Sequence, residues 1–225
     1  MGFSVSGVCV YQSPDEPRET WTCRAVFLQH GWLDLQSHPG STSAKAFPHG
    51  ALFRAPSLAV ASSALSPFRL GPTARLIRTW QDDHAPRLDL SWTSLRERIA
   101  PMVLAIVEYP EGDPASGEET SHPNGARRLL GLAFGAAEAG PTAQAAARKL
   151  ALSGFEYLAQ PTFENSFGRG DGPLIAIRFE VASCDRTASV LRERGVPFAI
   201  SNRTIAVCAH GVLGCGVEFI ETGRA

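Results

Sequence analysis

Two carboxylates in this chain sit on strand-like runs where a folded protein could use them for proton transfer. Glu218 lies in Val217-Glu218-Phe219-Ile220-Glu221, and Asp34 lies in Trp32-Leu33-Asp34-Leu35-Gln36. Strand alternation puts Glu218 on the face opposite Val217 and Phe219, and Asp34 on the face opposite Leu33 and Leu35. For each acid this leaves two placements open: a solvated strand face, which is the ordinary one, or the wall of a pocket. Were both to face one cavity, mutual repulsion or an apolar wall would raise one pKa and create a general base.

The other chemistry-bearing residues are more scattered. His30, His38, His49, His84, His122 and His210 all fall in turns or loops. None is paired at i, i+4 on a helix or at i, i+2 on a strand, so each reads first as a loop or capping residue. His210 lies close enough to the last strand to reach a pocket rim. His122 opens the turn His122-Pro123-Asn124-Gly125. The five cysteines are odd in number and never in CxxC spacing, as expected of reduced thiols in a cytosolic protein. Cys184 directly precedes Asp185 at a helix start, where the helix would lower its pKa and the carboxylate would oppose that. The phosphate-loop, dinucleotide and nucleophile-elbow motifs are all missing.

These residues are positioned by a strand-rich framework. The run 174–181 has strand composition, and Asp185 reads as the N-cap of a short helix over 186–194 that Gly195 closes. Residues 203–208 and 217–221 follow as strands. Upstream, 2–11, 20–29 and 32–36 read as strands, and 51–65 as either strand or helix. Strands are expected over 74–81, 87–93 and 102–109, with a hairpin at 82–86. The acidic segment 110–121, rich in Pro, Gly and Ser, is a linker candidate. Beyond it come a strand over 127–136, a helix from Gly140 carrying Ala143, Ala146, Ala147 and Leu150 on one face, a strand over 155–162 and a Gly-rich loop over 164–172. The 225 residues carry a net charge of −1, which offers no electrostatic case for nucleic acid or an anionic membrane. No apolar run approaches the ~20 residues of a membrane span.

The order of these elements resembles the glyoxalase/bleomycin-resistance/extradiol-dioxygenase superfamily, the vicinal oxygen chelate fold. The residues that carry the likeness are Ile177-Arg178-Phe179-Glu180-Val181 with the helix to Gly195, Thr204-Ile205-Ala206-Val207, and the closing strand around Glu218. Upstream, Gly31-Trp32-Leu33-Asp34-Leu35, Leu88-Asp89-Leu90-Ser91-Trp92 and His122-Pro123-Asn124-Gly125-Ala126 resemble its glyoxalase-like branch. The resemblance implies an α+β fold of βαβββ modules, with curled mixed or antiparallel sheets around a cleft and helices outside. It divides the chain into a glyoxalase-like region over 1–110, a linker and turn over 111–126, and a closing module over 127–225. The family's opening strand and helix would precede Gly2, so the first module is expected to be incomplete.

The resemblance also implies a function. Metalloenzymes of the family place a His on the first strand of a module and a Glu on the last. Here Asp34 and Glu218 stand at last-strand positions, whereas the matching His position falls at Gly131. Two carboxylates without imidazoles suit a transition metal poorly and leave at most weak Mg or Ca binding, so a cofactor-free site is favoured over a divalent metal. The expectation is a divergent, cytoplasmic glyoxalase-like protein that binds a small organic molecule in a sheet-lined cleft, with a homodimer as one way to cover an open sheet edge. The alternative is a metal-dependent lyase, isomerase or dioxygenase using Glu218 and Asp34. His122 and His210 are further pocket candidates.

Overall fold

A computed structural model describes residues 1–15, 20–37, 48–65, 70–80, 88–96, 102–110, 119–135, 155–169, 174–208 and 213–223. The expected helix from Gly140, the hairpin at 82–86, most of the linker and His210 lie outside these residues. The fold is mixed α+β, with two curled sheets and few helices. No helix among the described residues is long and apolar enough to cross a membrane.

The first sheet comprises β1 (Cys9–Gln12), β2 (Thr20–Phe27), β3 (Trp32–Ser37), β4 (Gly50–Arg54), β5 (Ala74–Trp80), β6 (Leu88–Ser94) and β7 (Val103–Glu108). Their order is β3-β2-β1-β5-β6-β7-β4, and only β4 and β7 pair in parallel. The ambiguous stretch 51–65 resolves as strand and then helix. Pro56 interrupts the strand, and α1 (Leu58–Leu65) begins two residues later. The helix start is held by Glu108, whose carboxylate accepts from the Leu58 N–H at 2.8 Å, and by the Ser57 hydroxyl, which accepts from Val60.

The second sheet contains β8 (Ala126–Gly135), β9 (Phe155–Leu158), β10 (Ile175–Val181), β11 (Ala199–Ser201), β12 (Thr204–Cys208) and β13 (Gly216–Glu221), in the order β11-β12-β13-β10-β8-β9. Here β10 runs parallel to β13, and β8 parallel to β9. The strand expected over 155–162 ends at Leu158, and α2 (Gln160–Phe167) occupies part of the expected loop. Two features explain this. Pro161 favours the first helical turn, and Phe163 and Phe167, spaced i, i+4, are buried together against Ala133, Leu174 and Ala176. Gly216 lets that helix approach, because a Cβ there would come within 2.7 Å of the Phe167 ring.

The helix after β10 is α3 (Cys184–Glu193), and its cap is Ser183, whose Oγ accepts from the Arg186 N–H. The expected cap, Asp185, instead sits in the first turn, where its charge complements the helix dipole. Gly195 does close the helix in the left-handed region, at φ 64°. The buried side of α3, Ala188 and Leu191, joins a core cluster to which both sheets contribute, with Leu104 and Ile106 of β7, Ile177 and Phe179 of β10 and Phe219 of β13.

Candidate functional site

A pocket of about 230 Å³ opens on the face of the first sheet that carries Tyr11, Trp21, Asp34, Leu76, Leu90, Trp92 and Tyr109, with Gln36 and His49 also in its lining. Every strand of the sheet contributes a residue. Alternation explains the construction: Val103 and Ala105 of β7 face the pocket, while Leu104 and Ile106 turn to the shared core. The rings pack on one another, with Tyr11 stacked on Trp21 at 5.6 Å and Trp32 edge-on to Tyr109 at 5.7 Å. The buried indole N–H of Trp92 has no hydrogen-bond partner among the described residues.

Asp34 is the carboxylate in this wall. Its donors are neutral and distant: the Tyr11 hydroxyl at 3.5 Å and the Cys23 thiol at 3.9 Å, with the Trp32 indole also contributing. Enclosure by the apolar wall pushes the Asp34 pKa above the ordinary carboxylate value, and these donors together with the Arg78 charge oppose the shift. The Arg78 guanidinium lies over the Phe27 ring at 5.6 Å and is not part of the pocket lining. Burial likewise raises Tyr11 and Tyr109, and the charge of Asp34 adds to it.

Beside Asp34, Cys9 and Cys23 are register partners on β1 and β2, with sulfurs 2.9 Å apart. Both are buried free thiols. The contact between the two sulfurs favours ionisation of the Cys9 thiol and, together with burial, holds Cys23 well above the usual thiol range. Sequence reading treated the cysteines as scattered. A signal was present: Cys9 and Cys23 are equidistant from position 16, which lies between the strands expected over 2–11 and 20–29, so a simple hairpin pairs them.

Glu218 lies on the second sheet and does not line this pocket. Its Oε2 accepts from Arg178 Nε at 2.6 Å, and the other arm of the same guanidinium meets Glu156 at 2.6 Å. In register, Arg178 stands between Gly131 on β8 and Glu218 on β13. Gly131 adopts φ 132° at a bulge in the β8–β10 ladder, a conformation that strains any side chain, so histidine is disfavoured there. The donor set around Glu218 therefore does not fit a divalent metal: the carboxylate is already paired with Arg178, its register partner on β10, and neither that residue nor Gly131, where the resemblance expects an imidazole, supplies a metal ligand. Among the described residues, no group of three or more His, Cys, Asp or Glu could hold a metal ion.

His122 is a framework residue. Its Nδ1 accepts from the Ser4 N–H at 3.1 Å, so Nε2 carries the proton and donates to the Phe27 carbonyl at 2.7 Å. Burial lowers its pKa. Asn124 of the same turn is fully buried, and its side chain binds the Met1 carbonyl and the Ala126 N–H. The Thr187 hydroxyl of α3 donates to the Asn124 carbonyl at 2.7 Å. The turn thus ties the first residues, β2 and α3 together. A larger depression of about 510 Å³ lies by Arg127, Arg128, Glu180 and Thr222, but both arginines are exposed and none of the candidate residues reaches it.

No protein-family model, curated protein or solved structure matches the chain.

Proposed function

We propose that this chain is a divergent glyoxalase-like protein of the vicinal oxygen chelate superfamily that binds a small organic molecule in the aromatic pocket of its first sheet. The observation that carries this reading is the pocket itself: apolar and aromatic walls from seven strands converge on one enclosed carboxylate, Asp34. Concave, largely apolar cavities with few polar groups are the usual form of small-molecule sites. The family part of the reading is supported by connectivity. Both β4-α1-β5-β6-β7 and β10-α3-β11-β12-β13 run strand, helix and three strands, with the first strand parallel to the last. That is the order expected of βαβββ modules.

The metal-dependent alternative has no donor set among the described residues, because Arg178 occupies the charge of Glu218. An enzymatic reading without metal keeps one support, the raised pKa of Asp34, which suits proton transfer within the pocket.

Thermal denaturation with a panel of one-ring aromatic compounds, with and without a chelator, tests the proposal. Binding at a hundred times Kd stabilises a protein by about 2.7 kcal/mol, and the shift should be the same in both arms. Loss of the shift on chelation would return the weight to the metal-dependent reading. No shift with any compound would remove the pocket as the functional site.

A further inference from the structure

We propose that the pocket selects a small aromatic ammonium compound over its neutral and anionic counterparts. The inference rests on the reading of this pocket as the ligand site and adds the ligand's charge.

Charge complementarity carries the argument. Asp34 is the acid of the described lining, and among the described residues neither Lys nor Arg joins it in the wall, where His49 is the other titratable group besides the tyrosines. Four rings, Tyr11, Trp21, Trp92 and Tyr109, surround the same space. Aromatic faces are electron-rich and attract a cation held within about 6 Å, most strongly when water is excluded. Among the described residues the carboxylate accepts from neutral donors, with long contacts from the Tyr11 hydroxyl and the Cys23 thiol and a hydrogen bond from the Trp32 side chain. Its ionised form is therefore poorly compensated from the protein side, and a cation in the pocket would supply what those donors do not. Arg78 and Arg54 are nearby cations, yet the Arg78 guanidinium lies over the Phe27 ring and that of Arg54 over the Tyr109 ring, and neither belongs to the pocket lining among the described residues.

The competing ligand classes fit less well. An anion would meet both the Asp34 charge and the negative ring faces. A neutral hydrocarbon would bury the same apolar area but leave the carboxylate further desolvated, which costs free energy. The volume of about 230 Å³ sets the scale at one ring with a compact substituent.

Three one-ring probes separate these cases: phenyltrimethylammonium, its neutral isostere tert-butylbenzene, and the anion benzoate. Binding to the full chain can be followed through quenching of tryptophan emission, since Trp21 and Trp92 line the pocket. Phenyltrimethylammonium should bind at least about tenfold more tightly than tert-butylbenzene, as one cation–π contact plus an ion pair is worth more than about 1.4 kcal/mol. Benzoate should bind least. The Asp34→Asn variant should lose that preference and bind the two probes to within about threefold of each other, because the cation loses its counter-charge and tert-butylbenzene no longer desolvates a carboxylate. Equal or tighter binding of tert-butylbenzene to the wild-type chain would overturn the charge inference and leave the pocket reading intact. Absence of binding by all three would instead overturn the pocket reading. The wild-type comparison decides the matter even if the variant does not fold.

Discussion

At the scale of single residues, charge is handled differently on the two sheets. Arg178 serves two carboxylates, Glu218 and Glu156, and its own side chain is only 21% exposed. Arg178→Met should cost about 1 to 3 kcal/mol in urea denaturation, because the Glu218 carboxylate is left half-buried without its donor; an unchanged midpoint would mean the pair is solvated. Asp34 has the opposite problem. With a raised pKa, the folded state holds a proton that the unfolded state releases, so its contribution to stability falls as pH rises from about 3.8 through the folded value. Asp34→Asn should therefore leave the melting temperature at pH 7 unchanged or higher, and a clear drop would show that the charged form is needed by the fold. His122 shifts the other way. Its pKa is lowered, so the unfolded state binds more protons below about 6.5, and stability should fall as pH drops through that value. Urea midpoints of wild type and His122→Gln at pH 7.5 and 5.5 should reveal a smaller pH dependence in the variant.

Helix α2 is the element whose presence most changes the second sheet. Phe163 is fully buried, and it holds the helix over Ala133 and Ala176. Phe163→Ala should destabilise the fold by about 3 to 5 kcal/mol, read as a shift in the denaturant midpoint. The helix was missed in sequence because it is short, begins with a proline after a strand and merges into a Gly-rich segment. The Phe163/Phe167 spacing was the available sign. By contrast, α3 was legible to within two residues, since Pro197, Gly195 and an amphipathic run bound it. Its cap was displaced from Asp185 to Ser183 because both residue types can cap and only the backbone geometry decides between them.

For the whole molecule, the shared core has a measurable consequence. Trp21, Trp32, Trp80 and Trp92 all belong to the first sheet, so tryptophan emission reports on that half, whereas far-UV dichroism reports on both. Leu28, Met102, Leu104 and Ile106 pack in one cluster with Phe134, Ile177, Phe179 and Phe219. The two signals should follow one denaturation curve. Separate midpoints would mean that the sheets unfold independently and that the common cluster contributes little.

Local patterning determined where most strands lie and which residues share a face. Asp34 with Trp32 and Gln36, and Glu218 opposite Val217 and Phe219, follow from a period of two alone. Tertiary structure decided which faces meet. The pocket exists because β1 pairs with β5, some sixty residues further on, and so brings Tyr11 and Trp21 across from Leu76, Leu90 and Trp92. Arg178 neutralises Glu218 only because β10 and β13 lie side by side. These pairings are set by burial summed over both sheets, a quantity that no short window of sequence contains.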